Sequence, residues 1–289
     1  MEQLRKDGYE VMEQFYEPDQ LGAALRDFDV VIIRSATKIK EPQIDAAKGS
    51  RLKLIIRAGV GVDNIAVKYA EEHGIQVKNT PRASSNAVAE LALALLFSCA
   101  RNISIAGPHH AGEQVGEERP TPRALSSPAR PWASSAMAGS ASWWAPRAQA
   151  LGMNVLSVVH CNKPEGCECE TMHFVTMDEL LSQSDIIVLC APSGDKPLVD
   201  AESLAKMKDG VVIINVSRGA NVDEAALLDA LNSGKVKAAG LDVWLSEKDP
   251  NWALASHPAV SCTPHIGAGT KEAQKRIGAE LVDIVENFG

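Results

Sequence analysis

Val211-Val212-Ile213-Ile214-Asn215-Val216-Ser217-Arg218-Gly219 is the run that decides the fold. Its apolar half reads as a strand covered on both faces, and Asn-x-x-Arg-Gly turns the chain at the strand's carboxyl end. Two further strands, Ala238–Val243 and Ala259–Cys262, follow, and each runs into a polar phrase of its own. These are Leu241-Asp242-Val243-Trp244-Leu245-Ser246-Glu247 and Thr263-Pro264-His265-Ile266-Gly267. Upstream, Asn154–Val159 and Asp185–Cys190 read as strands of the same parallel sheet. Met177–Ser184 and Asp223–Ser233 read as crossover helices, the latter closed by Gly234. Parallel α/β sheets carry their chemistry at strand carboxyl ends, and here those ends supply a guanidinium, a carboxylate and an imidazole.

A second rhythm occupies the amino-terminal part. Asp29–Arg34, Leu54–Ala58 and Ile75–Asn79 read as strands, separated by amphipathic segments at Asp19–Phe28 and Ala66–His73. Asn86–Arg101 is apolar nearly all round, which marks a buried helix. Thr270–Phe288 reads as one amphipathic helix returning to the first domain. The expected fold is α/β: two lobes, each a parallel sheet flanked by helices, the second of Rossmann type with its first βα unit altered. The expected domains are 1–103 plus 271–289 for substrate and 104–270 for the dinucleotide. The cleft between such lobes is the natural place for a ligand.

Bulk properties exclude several classes. A formal charge of −8 over 289 residues, with no basic block, speaks against nucleic acid and anionic membrane as partners. Leu91–Ala100 is the most apolar stretch and is too short to span a bilayer. The sequence starts without a signal-peptide core, and six cysteines without framework spacing suit reduced thiols, so a cytoplasmic location is expected. Cys161, Cys167 and Cys169 lie near His160, but their spacing matches no standard zinc site, and no metal is expected.

The ordered phrases resemble the D-isomer-specific 2-hydroxyacid dehydrogenase family. Ala58-Gly59-Val60-Gly61-Val62-Asp63-Asn64, Asn79-Thr80-Pro81 and Ala87-Val88-Ala89-Glu90-Leu91 look like its substrate-domain signature. Arg34-Ser35-Ala36-Thr37-Lys38 looks like the phosphoglycerate dehydrogenase branch. The resemblance covers 17–105 and 147–289 and fails between them. Residues 107–146 are rich in Ala, Ser, Pro and Gly, and on composition they read as loop. The family's Gly-x-Gly-x-x-Gly turn belongs just ahead of Ala150-Leu151-Gly152-Met153. We read Trp132–Pro146 as that turn displaced by one reading frame. Taking the third base of each codon with the first two of the next forces Gly from Trp132–Ala133 and from Met137–Ala138, Val from Trp143–Trp144 and Gly from Trp144–Ala145. The remaining steps permit G-V-V-G-x-G-R-I-G-L-V-V-G-A. The shift opens between about Ala106 and Val115. As written, the turn offers one glycine, Gly139, and Val158, Val159 and His160 stand where the family's ribose carboxylate is expected. The family's first strand, expected ahead of Leu4–Val11, is also missing.

The resemblance implies roles. His265 would be the acid/base, since imidazole titrates near working pH. Glu247 would hydrogen-bond that ring, fix its tautomer and favour its charged form; its alternative is a solvated loop carboxylate beside Lys248. Arg218 would clamp the substrate carboxylate with its planar fork, a structural salt bridge being the alternative. Backbone groups of Gly59, Val60 and Gly61 would hold the other carboxylate face, while Arg34 and Lys38 could bind a substrate phosphate. Val60, Ala191, Val216, Ser217, Asp242, Gly267 and Ala268 would line the nicotinamide half of NAD, Asp242 accepting from the carboxamide. The implied reaction is 3-phosphoglycerate plus NAD to 3-phosphooxypyruvate plus NADH, in serine biosynthesis, by a homodimer. No C-terminal regulatory module is expected after Gly289. Alternatives are a glyoxylate or hydroxypyruvate reductase, a catalytically silent binding protein, or a damaged gene product on the same scaffold.

Overall fold

The computed structural model describes residues 1–103, 133–137, 141–158 and 172–288. It divides into two compact units, Met1–Ser85 with Ala268–Gly289, and Asn86–Gly267. The expectations at Ala106–Val115, at Cys161, Cys167, Cys169 and His160, and at Gly139 and Val159 fall outside the described residues.

In the first unit three short strands, β1 (Val30–Ile33), β2 (Leu54–Arg57) and β3 (Gln76–Asn79), pair in parallel in that order. Alternate residues of β2 serve different layers. Ile55 packs with Leu21 and Ile44 from two short helices, α2 (Pro18–Ala24) and α3 (Glu41–Ala47), and with Leu25 from the 3-10 turn Leu25–Asp27 after α2. Leu54 and Ile56 pack instead with Ile277, Leu281 and Val285 of the long carboxyl-terminal helix Lys271–Glu286. That helix is capped by the Thr270 hydroxyl, which accepts from the Ala273 N–H at 3.1 Å.

The second unit carries, among its described residues, a seven-stranded parallel sheet. Its strands are β4 (Ala133–Met137), β5 (Asn154–Val158), β6 (Met172–Phe174), β7 (Ile186–Leu189), β8 (Val211–Asn215), β9 (Val236–Leu241) and β10 (Val260–Cys262). The order across the sheet is β6-β5-β4-β7-β8-β9-β10, so the chain leaves β4 in opposite directions for β5 and for β7. This is the doubly wound dinucleotide-binding arrangement, with its switch point at the carboxyl ends of β4 and β7. Ile186, Val188, Val212 and Ile214 bury one face against Ala92, Leu95 and Leu96 of helix α5 (Ser85–Arg101). A side chain on Gly240 of β9 would meet Ile214 Cδ1 at 2.7 Å and Leu95 Cβ at 2.9 Å, so glycine permits that approach. Ile187, Leu189, Ile213 and Leu241 bury the other face with Leu227 and Leu231 of α9 (Glu224–Asn232).

Strand β4 corrects the reading of 107–146 as a stretch without a strand. Ala133–Met137 pairs with β5 from Ala133↔Asn154 to Met137↔Val158 and with β7 from Ser134↔Ile186 to Met137↔Leu189, at the centre of the sheet. Helix α6 (Ala141–Ala150) follows, and its Trp144 is fully buried in the core. Ladder bonds on both sides supply the order that Ala-Ser-Ser-Ala-Met lacks in β propensity.

Candidate active site

Because β8, β9 and β10 are parallel neighbours, the three polar phrases leave the sheet at one edge. Buried polar groups lock them together. The Asp242 carboxylate, 1 % exposed, accepts from the Thr263 hydroxyl at 2.6 Å, the Ile266 N–H at 2.8 Å and the Gly267 N–H at 2.9 Å. The Asp242 carbonyl accepts from the His265 N–H at 2.8 Å. These four bonds hold His265 at φ +54°, a left-handed conformation that a side-chain-bearing residue adopts only when its surroundings impose it.

The exposed imidazole of His265 is hydrogen-bonded through Nδ1 to Glu247 Oε1. Glu247 is carried by the loop after β9. That loop is pinned where the Leu245 N–H donates to Glu224 Oε1 at 2.8 Å and the Trp244 indole N–H donates to the Thr263 carbonyl at 3.4 Å. Gly219 lies directly against the same loop: a Cβ there would fall less than 3.0 Å from the Trp244 carbonyl and the Leu245 nitrogen. The residue before it is Arg218, partly buried, whose Nη1 donates to the Ser217 carbonyl at 2.7 Å. Thus His265 and Glu247 are joined directly, and Arg218 stands on the turn that packs against their loop.

Ala191, Val216, Ser217, Asp242 and Gly267 are buried at the carboxyl ends of β7, β8, β9 and β10. An added Cβ at Gly267 would crowd Asp242 Oδ2 at 3.0 Å and Val88 Cγ2 at 3.3 Å, so glycine permits this turn to pack closely on Asp242. Asp242 Oδ1 takes two hydrogen bonds and Oδ2 only one, so Oδ2 keeps a lone pair for a donor such as a carboxamide. The nicotinamide end of NAD therefore fits these residues. β4 ends at Met137 and α6 starts at Ala141, and residues 138–140 between them lie outside the described residues.

The remaining predicted residues lie in the first unit. Gly59 has φ +140°, and its missing Cβ leaves room for the Arg57 guanidinium, whose Nη1 donates to the Ala58 carbonyl at 3.0 Å. Val60 is exposed and its carbonyl accepts from the Asn79 amide, while Gly61 is half-buried. Arg34 is exposed and donates to Gln274 Oε1 at 3.4 Å. Lys38 is exposed on a cavity of about 490 Å³ shared with Tyr16, Thr37 and Lys40. Ala268 is half-buried, its carbonyl accepting from the Gln274 amide at 3.0 Å. Sequence reading missed Glu224 and Thr263 as supports of the polar loops. Glu224 follows an Asp N-cap and looks like any acidic first turn, and a threonine before Pro-His carries no signal of its partner.

Residues 93–267 match the family described as D-isomer specific 2-hydroxyacid dehydrogenase, NAD binding domain. The chain belongs to this family. It is an oxidoreductase with NAD as its cofactor. It is 40 % identical over 288 residues to a hydroxypyruvate reductase of Thermotoga maritima, covering 97 % of this chain and 91 % of that one. It is 36 % identical to D-3-phosphoglycerate dehydrogenase 2, chloroplastic, of Arabidopsis thaliana, over 98 % of this chain but only 47 % of the relative. Thus it spans about half the length of that relative. A solved glyoxylate reductase from Paecilomyes thermophila superposes with a TM-score of 0.83 at 31 % identity, covering 93 % of this chain and 83 % of that one. Among the described residues no helix is long and apolar enough to cross a membrane.

Proposed function

We propose that the chain interconverts hydroxypyruvate and D-glycerate, with Arg218, Glu247 and His265 as the catalytic set. The observation that carries this is the His265–Glu247 hydrogen bond on a loop packed against the Arg218 turn. NAD, when bound, supplies or accepts the hydride at carbon 2. In reduction His265 gives its proton to the carbonyl oxygen, and in oxidation it takes the hydroxyl proton back. Glu247 holds the ring and offsets its positive charge; Arg218 binds the substrate carboxylate through its paired N–H groups. The buried residues that would hold the nicotinamide are Ala191, Val216, Ser217, Asp242 and Gly267, and family resemblance adds Val60 and Ala268. Gly59, Val60 and Gly61 are proposed to bind substrate through backbone groups.

Hydroxypyruvate is placed ahead of 3-phosphoglycerate, reversing the preference drawn from sequence alone. Two things support this: the reductase relative matches nearly end to end, and Arg34 is exposed and already engaged by Gln274. Phosphoglycerate stays as the second reading because Arg34 and Lys38 still offer two cations. The test is kcat/KM with NADH for hydroxypyruvate, glyoxylate and 3-phosphooxypyruvate. Preference for the phosphorylated acid, lost in Arg34→Gln, would establish the second reading instead. A cytoplasmic homodimer is the assembly this reading expects, and sedimentation velocity checks the stoichiometry.

A further inference from the structure

The Arg218 turn rests on an amide network that the catalytic reading leaves unexplained. Asn215 is 1 % exposed; its Oδ1 accepts from the Ser217 N–H at 3.1 Å and the Ser217 hydroxyl at 2.9 Å, and its Nδ2 donates to the Arg218 carbonyl at 2.8 Å. Asn221, six residues beyond Asn215, is fully buried, and its Nδ2 donates to the Ser217 hydroxyl at 3.0 Å and to the Ala191 carbonyl at 2.9 Å. The orientation of that amide is determined. The Ser217 hydrogen is committed to Asn215, and the Ala191 carbonyl can only accept, so nitrogen must face both. Its oxygen is then left buried without a partner among the described residues. The buried oxygen costs free energy, so what the residue contributes is the tie that its nitrogen makes between the Ala191 carbonyl and the Ser217 hydroxyl.

We infer that Asn221 is a positioning residue: its amide ties the end of β7 to the turn after β8 and so fixes the Arg218 guanidinium for the substrate carboxylate. This rests on Arg218 having the role proposed above. Ser217 is the shared joint, accepting from Asn221 and donating to Asn215, while Arg218 is flanked by the Ser217 it follows and the Asn215 amide that takes its carbonyl. Cutting the link to Ala191 lets the turn move by fractions of an ångström without unfolding the sheet, whose ladder at Leu189↔Asn215 is untouched. A misplaced carboxylate clamp weakens ground-state and transition-state binding together, which raises KM more than it lowers kcat.

The test compares wild type, Asn221→Leu, Asn221→Ala, Ser217→Ala and Arg218→Gln with hydroxypyruvate at saturating NADH. A second readout needs no cofactor: the rate at which phenylglyoxal modifies Arg218 in the free protein, followed by peptide mass spectrometry. Asn221→Leu is expected to raise the hydroxypyruvate KM about tenfold with kcat changed less than about threefold, and to alter the Arg218 modification rate by a similar factor. Wild-type KM and wild-type modification rate in Asn221→Leu would overturn the inference. If that variant does not fold, Asn221→Ala decides by the same two readouts, because it removes both Asn221 bonds without adding bulk, whereas Ser217→Ala also cuts the bond to Asn215 and reports on the whole network. Arg218→Gln separates the two levels: full activity there refutes the catalytic reading, whereas activity lost there but normal in Asn221→Leu refutes only the positioning role.

Discussion

Asp242→Asn is a sharp test of how the imidazole is held. The carboxylate takes three hydrogen bonds, from Thr263, Ile266 and Gly267, at 2.6, 2.8 and 2.9 Å. An asparagine can keep the first two if its oxygen occupies the Oδ1 position. Its amide nitrogen then faces the Gly267 N–H, donor against donor. One charge-assisted bond is lost, worth about 1.5–3 kcal/mol. The turn that keeps His265 at φ +54° also loses a fastening on its far side. For a unit of this size, Asn86–Gly267, the loss corresponds to a fall in Tm of roughly 3–12 °C, measured by scanning calorimetry on the cofactor-free protein. Measuring without cofactor matters, because Asp242 is also proposed to meet the carboxamide. At 25 °C, well below unfolding, kcat should fall by about 10-fold to 100-fold, since a shift of about an ångström in an acid/base group has that effect. An unchanged Tm together with wild-type kcat would refute the claim that this carboxylate holds the catalytic turn.

The chain as written should bind NADH weakly, with a dissociation constant above the micromolar range by fluorescence titration, because Ala138-Gly139-Ser140 replaces a three-glycine turn. A chain carrying Gly-x-Gly-x-x-Gly across the β4–α6 junction should bind about 10–100-fold tighter, the value of one charge-assisted backbone bond to phosphate. The encoding DNA should show compensating frame changes on either side of the segment. Trp144→Phe should leave Tm within about 2 °C of wild type, because the buried indole N–H has no partner and its removal offsets the lost ring volume; a fall above about 8 °C would show that the indole is well satisfied. Asp200 caps α8 (Ala201–Lys206) by accepting from the Ser203 N–H at 2.8 Å, and that bond holds its carboxyl below the ordinary value of 3.8. Its stabilisation is complete above that ordinary value and is lost as pH falls through the lower folded one. Asp200→Ala should therefore cost about 1 kcal/mol at pH 7 in urea titrations and progressively less below about pH 4.

Strands such as Val211–Ile214 and Ile186–Leu189 were legible because fully buried parallel strands are continuous apolar runs. The catalytic candidates were legible because each stands at the end of such a run. β4 and β6 were not legible: Ala-Ser-Ser-Ala-Met has no apolar pattern and its place is set by the strands on either side, while Met172–Phe174 is three residues long and too short to show a period. The supports of the site were hidden for a different reason. Asp242, Thr263, Asn215 and Asn221 act through partners two to thirty residues away in sequence, and no local spacing announces which carbonyl or hydroxyl each will meet. Arg57 passed unnoticed as the end of a strand, although its guanidinium occupies the space that Gly59 leaves open.

The most direct measurement is kcat for NADH-dependent reduction of hydroxypyruvate at saturating cofactor, in wild type and in His265→Gln, each with and without the three-glycine turn. If His265 delivers the proton with Glu247 behind it, the substitution lowers kcat about 10²–10⁴-fold in the glycine-bearing chain while leaving its NADH affinity within twofold. Reduction by His265→Gln at close to the unsubstituted rate would contradict the account.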